Sequence, residues 1–164
     1  MPESSRQPSL PGMEPEETPV PPTDDSLDST EPQPPSLAGW TVYAIDAHSL
    51  IFQVFHALPE MTSPAGEPVG AVYGFVRDLI QLLETRQPDA LLCAFDLPGG
   101  TFRNDLYVEY KANRGEMPAD LASQLPKIRE VLAAMSIPVL ESPGYEADDV
   151  LATVARQCDE LGGQ

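Results

Sequence analysis

Basic residues are scarce in this 164-residue chain: 9 Lys and Arg face 26 Asp and Glu, for a formal net charge of -17 and a pI near 4.1. That balance excludes the broad cationic surface by which most nucleic-acid-binding domains track a phosphate backbone, so a nucleic-acid role has to rest on a few basic side chains gathered locally. Cysteine is equally sparse. Cys93 and Cys158 both lie in apolar patterns, which leaves no support for a disulfide framework or a zinc site and makes buried, reduced thiols the expectation. Long hydrophobic runs are missing too: the longest, Ala90 to Phe95, is far below the roughly 20 residues of a membrane-spanning helix. The N-terminus has neither the basic nor the apolar region of a signal peptide, so a cytoplasmic location and no membrane partner are expected. The sequence also lacks a P-loop, a Gly-x-Gly-x-x-Gly fingerprint and any Ser-His-Asp logic, which disfavours P-loop NTPases and nucleotide-dependent dehydrogenases.

Proline is abundant but unevenly placed. Residues 1–39 hold 10 of the 19 prolines, 8 acids, the single base Arg6 and no aromatic residue. Such a segment cannot bury a core and has the composition of a disordered, extended tail. The remaining 125 residues carry 18 acids, 8 bases and all 11 aromatics, enough for one α/β domain starting at Trp40.

Within that part, apolar runs of strand length alternate with helical periodicity. Trp40 to Ile45 is a buried strand stopping at Asp46, and Leu50, Ile51, Val54, Phe55 and Leu58 recur at helical spacing. Pro59 to Pro68 is a loop. Val69, Val72, Tyr73, Val76, Ile80 and Leu83 trace a longer helix, and Ala90 to Phe95 is a second strand stopping at Asp96. A short helical pattern runs through Leu106 and Tyr110, and Leu121, Leu125, Ile128, Leu132 and Met135 mark one further amphipathic helix. Ile137 to Leu140 is a third strand, and a last helix starts near Glu146. This alternation is that of right-handed crossover units: an α/β fold with a parallel sheet and helices on both faces.

Sites in such sheets form outside the carboxyl ends of the strands. Asp46 and Asp96 end the first two strands, and the third leads through Ser142-Pro143-Gly144 into Glu146, Asp148 and Asp149. Each acid has an ordinary alternative as a helix cap or a favourable charge in a first helical turn. Capping does not require five acids to converge, however, and an oxygen-only cluster suits Mg²⁺ or Mn²⁺. Arg103, Lys111 and Arg114, interleaved with Tyr107 and Tyr110, follow the second strand's acid. They form either a solvated helix face or a cationic strip able to hold phosphates and stack bases. His48 reads as a polar residue at a helix start and His56 as a hydrogen-bonded core residue.

The motifs Ile45-Asp46, Phe55-His56-Ala57-Leu58-Pro59, Gly66 to Gly74, Phe95-Asp96, Thr101-Phe102-Arg103, Tyr110-Lys111-Ala112-Asn113-Arg114 and Gly144 to Val150 resemble, in order, the 5′-nuclease domain of bacterial DNA polymerase I. The resemblance covers about Thr41 to the C-terminus. It implies a PIN-like, resolvase-like fold and metal-dependent hydrolysis of phosphodiesters at 5′ ends or flaps of DNA or RNA primers, with a polymerase domain in the longer chain. It further implies Asp46, Asp96, Glu146, Asp148 and Asp149 as ligands of Mg²⁺ or Mn²⁺, two ions in the complete domain. Lys111 and Arg114 would act on the scissile phosphate, with Arg103 and Tyr110 in the nucleic-acid-binding strip.

The chain departs from the family pattern at Ala47 and Gln53, where Gly and Arg are usual, at Gly100, commonly Lys, and in its acidic tail. The family continues with a strand bearing two more Asp ligands and a helix-hairpin-helix region. The chain is therefore expected to be an N-terminal portion, residues 40–164, of a 5′-3′ exonuclease domain, truncated at its C-terminus. The alternative is a catalytically incomplete remnant that binds nucleic acid or a partner.

Overall fold

Five consecutive residues with no Pro or Gly, Val42 to Asp46, have room to extend before Asp46 turns the chain. In the computed structural model, which describes residues 35–107, 109–111 and 115–164, they form β1 (Val42–Asp46) and run straight into α1 (Ala47–Ala57). α2 (Gly70–Arg86), β2 (Ala90–Ala94), α3 (Phe102–Leu106), α4 (Ala119–Ala122), α5 (Leu125–Ala134), β3 (Val139–Leu140) and α6 (Ala147–Glu160) follow. The three strands are parallel in the order β1-β2-β3. Asp46 lies opposite Ala94, and Ala94 opposite Leu140. The register thus brings Asp46, Asp96 and the chain after β3 to one end of the sheet.

Alternation along β2 sends Leu91, Cys93 and Phe95 to one face, where they join Ile51 and Val54 of α1, Phe75 and Leu79 of α2, and Leu121, Ile128 and Leu132 of α4 and α5 in a single buried cluster. α6 packs against β1 and β2 and buries Ala147 and Cys158 outside that cluster, so helices flank the sheet on both sides. At Gly74 a Cβ would stand 2.6 Å from Leu58 Cδ1 and 3.0 Å from Val54 Cβ. The close approach of α1 to α2 needs a residue without a side chain there.

The amphipathic stripe from Leu121 to Met135 is expected as one helix and is found as two. Pro126, at the start of α5, has no N–H to give to a preceding turn. Gln124, between the helices and 1% exposed, turns its side chain elsewhere. Its Oε1 accepts the N–H groups of Ala71 (2.8 Å) and Val72 (3.2 Å), and its Nε2 donates to Asp120 O at 2.9 Å. It thereby caps α2, whose own N-cap Val69 offers no side-chain acceptor. The third strand is shorter than expected, two residues, because only Cys93 and Ala94 offer a partner register.

Residues 1–34 of the expected tail lie outside the described residues. Composition puts the start of the folded part at Trp40, yet Leu37 N–H already donates to Leu161 O at 2.9 Å, and Gln164 N–H donates to Trp40 O at 2.9 Å. Main-chain pairing does not depend on the side-chain composition that marks a tail. Among the described residues no helix is long and apolar enough to cross a membrane.

Candidate metal centre and nucleic-acid site

Asp46 is both the last residue of β1 and the N-cap of α1. Its Oδ1 accepts the Ser49 N–H at 2.9 Å and its Oδ2 accepts the Ser49 hydroxyl at 2.7 Å, a cap of the kind that contributes about 1 kcal/mol. Asp96 follows β2, and its Oδ1 accepts the Ala147 N–H at 2.7 Å. That places the carboxylate at the positive end of α6. The Asp96 N–H in turn donates to His48 Nδ1 at 3.2 Å. A neutral His48 therefore carries its proton on Nε2, with the ring edge-on to Phe95 at 5.3 Å. Burial lowers the His48 pKa below its ordinary value, against the opposing pull of Asp96 and Asp46; Arg129 adds to the lowering.

The second group of acids is held by cations. Glu146, 7% exposed, receives Lys111 Nζ at 2.7 Å, the Tyr110 hydroxyl at 3.1 Å and, more distantly, Arg103 at 3.8 Å. Burial alone would raise its pKa; these partners outweigh it and hold the carboxyl below the usual range. Lys111 adopts a left-handed backbone (φ 58°), uncommon for a residue with a side chain and found where the surroundings fix it. Asp149 is clasped by Arg103 through two bonds of 2.6 and 2.7 Å and accepts the Glu146 N–H at 3.0 Å. The guanidinium, then the backbone bond, lowers its pKa to about 2. The guanidinium also lies 4.6 Å over the Phe102 ring.

Asp46, Asp96, Glu146 and Asp148 line one cleft of about 870 Å³, together with His48, Lys111 and Arg129. Four of the five expected metal acids are thus brought together. Asp149 stands beside them, committed to Arg103. Arg114 lies outside the described residues. Tyr107 is exposed and donates to Glu109 at 3.0 Å, away from the acids. Among the described residues no three His, Cys, Asp or Glu side chains converge on one point; Asp46, Asp96, Glu146 and Asp149 are each turned to a partner within the protein. The donor chemistry still fits a hard divalent cation: the acids offer oxygen alone, with no thiolate.

Acids thus stand at the ends of β1 and β2 and at the start of α6, with Lys111 reaching into the same cleft. Residues 41–164 match the family described as 5′-3′ exonuclease, N-terminal resolvase-like domain. This chain belongs to that family. It is 41% identical over 122 residues to the 5′-3′ exonuclease of Aquifex aeolicus, covering 74% of this chain and 42% of that protein. Over 121 residues it is 42% identical to the thermostable DNA polymerase I of Thermus aquaticus, covering 74% of this chain and 14% of that protein. The chain spans less than half the length of these relatives. The bacteriophage T5 flap endonuclease, solved in a pseudo-enzyme-product complex with DNA and metal ions, shares the fold with a TM-score of 0.54 at 19% identity. That match covers 74% of this chain and 45% of the phage protein.

Three further side chains shape the site in this member of the 5′-3′ exonuclease N-terminal domain family. Ser49 takes both oxygens of Asp46; a Ser in a first helical turn after an Asp is a legible capping partner. Gln124 caps a helix 53 positions away in the chain, which no local pattern signals. Arg129 reaches the cleft from the polar side of an amphipathic helix, where a basic residue is unremarkable.

Proposed function

We propose that this chain carries the metal-dependent chemistry of a cytoplasmic 5′-3′ exonuclease and 5′-flap endonuclease. It would hydrolyse phosphodiesters at 5′ ends of DNA or of RNA primers, in the context of a DNA polymerase I-type protein. The observation that carries the reading is the meeting of Asp46, Asp96, Glu146 and Asp148 in one cleft with Lys111. These four acids, with Asp149 at their edge, would hold Mg²⁺ or Mn²⁺, two ions in the complete domain. Bound divalent ions supply a more acidic water and neutralise charge on a phosphate.

The remaining contributions come from the protein itself. Asp96 is held in orientation by the Ala147 amide, which donates to it. His48 holds the Asp96 backbone in place and presents an N–H at Nε2. Lys111 stands on Glu146 at hydrogen-bond distance, so its ammonium is already in the cleft, able to stabilise charge that develops on a phosphate without reorganisation. Tyr110 fixes Glu146 from the other side. Arg114 would add a second cation to the phosphate. A phosphate would have to compete with Asp149 for Arg103.

The test is Mg²⁺-dependent cleavage of a labelled 5′-flap duplex by this chain beside Asp148→Asn, with a chelator control. The proposal expects cleavage that both controls abolish while Asp148→Asn keeps its fold; activity retained in Asp148→Asn would remove the metal assignment. That no three acids among the described residues converge on one point favours a second reading, a nucleic-acid- or partner-binding remnant. A folded wild-type chain that binds the flap duplex without cleaving it would support that reading.

A further inference from the structure

Arg129 projects from α5 into the acidic cleft, and neither the motifs nor the mechanism above uses it. Its guanidinium lies 4.3 Å over the ring of Phe95, the residue before Asp96. One terminal nitrogen is paired with Glu141, the residue after β3. A planar cation stacked on an aromatic face and tethered by one carboxylate is preorganised, so little side-chain freedom is lost when a further ligand binds. Among the described residues Glu141 is its one side-chain hydrogen-bond partner, and a guanidinium has five N–H donors. The side chain is 41% exposed and lines the cleft. Arg103 differs, since both its terminal nitrogens are spent on Asp149.

The cleft needs a cation in this position. Four carboxylates repel a phosphodiester, and Lys111 answers them from the segment before residue 112, while α5 forms another part of the lining. We propose that Arg129 is a second phosphate anchor, holding a nucleic-acid strand from the α5 side of the cleft. This rests on the nuclease reading. Its role is electrostatic and substrate-binding, at a phosphate other than the one Lys111 faces.

The experiment is equilibrium binding of a fluorescent 5′-flap duplex to the 164-residue chain over a series of salt concentrations, with Ca²⁺ in place of Mg²⁺. Losing one phosphate contact should weaken binding of Arg129→Gln roughly tenfold at low salt and reduce the slope of log affinity against log salt by about 0.7 to 0.9. Arg129→Lys should keep most of the slope. Glu141→Gln, which removes the tether and leaves the cation, should bind at least as well as wild type. Circular dichroism and thermal melting accompany each variant. A purely structural role for Arg129 would lower the melting temperature of Arg129→Gln and leave the slope unchanged; that result, with wild-type binding intact, overturns the proposal alone. If the folded wild-type chain does not bind the duplex, the nuclease reading falls and the proposal with it.

Discussion

The two halves of the acidic rim are held in opposite ways. Asp46 and Asp96 are satisfied by neutral donors, the Ser49 amide and hydroxyl and the Ala147 amide. Glu146 and Asp149 are satisfied by Lys111 and Arg103. Neutral donors orient a carboxylate and leave its full charge in the cleft. Cations orient it and cancel that charge. On the nuclease proposal, the Asp46–Asp96 half would bring uncompensated negative charge to a divalent ion, while the Glu146–Asp149 half would add its acids to the ion site and also place Lys111 for a phosphate. A single cluster of like charge would be costly to fold; dividing it between helix caps and ion pairs offsets that cost for four of the five acids, while Asp148 lines the cleft.

Breaking the first half should have the largest effect. Asp46→Asn keeps an oxygen to accept the Ser49 amide, so stability should change by less than about 1 kcal/mol, while Mg²⁺-dependent cleavage should fall by roughly 10³-fold or more. Steady-state cleavage beside chemical denaturation checks both. Loss of stability in step with activity would mean that Asp46 is only a cap.

In the second half, Lys111→Ala should slow turnover by roughly 10²-fold through the lost phosphate stabilisation, a larger effect than on metal affinity, which should if anything rise as Glu146 loses its paired cation. Single-turnover kinetics and metal titration separate the two. A large change in metal affinity with turnover preserved would show that Lys111 serves Glu146 and not the phosphate.

The smallest effect tests the ion pair itself. Arg103→Met should lower stability at neutral pH. Asp149 has its pKa depressed in the folded state, from 3.8 to about 2, so the pair's contribution is present above the unfolded value and is lost as pH falls through the folded one. The stability gap between wild type and Arg103→Met should close across that window, as followed by denaturant unfolding at a series of pH values. A gap independent of pH would assign the loss to the packing of Arg103 on Phe102.

Much of the frame is legible in the chain. Asp46 and Asp96 announce themselves because a run of strand-forming residues stops at an acid, and parallel topology then sends both to one sheet end. The α6 acids are legible from the turn that precedes them. The partners are not. Nothing local tells that Arg103 meets Asp149, 46 positions later, while Lys111 meets Glu146; those choices are made by tertiary structure, where Phe102 meets the Gly144–Tyr145 turn that precedes α6. The split between α4 and α5 is half-written, in Pro126, but the buried Gln124 that stabilises it acts across the core. Arg129 carries no pattern at all, because the polar side of an amphipathic helix looks the same whether it faces water or a cleft.

We propose that Asp46 and Asp96, whose charge no cation cancels, dominate the hold on the ion, with Glu146 and Asp148 beside them. Titration of Mn²⁺ into the folded chain, followed by electron paramagnetic resonance, tests it most directly. Saturable Mn²⁺ binding that Mg²⁺ displaces, that Asp46→Asn loses and that Arg103→Met retains is the predicted result. A folded wild-type chain that takes up no Mn²⁺, or an Asp46→Asn chain that binds it as wild type does, would contradict the account.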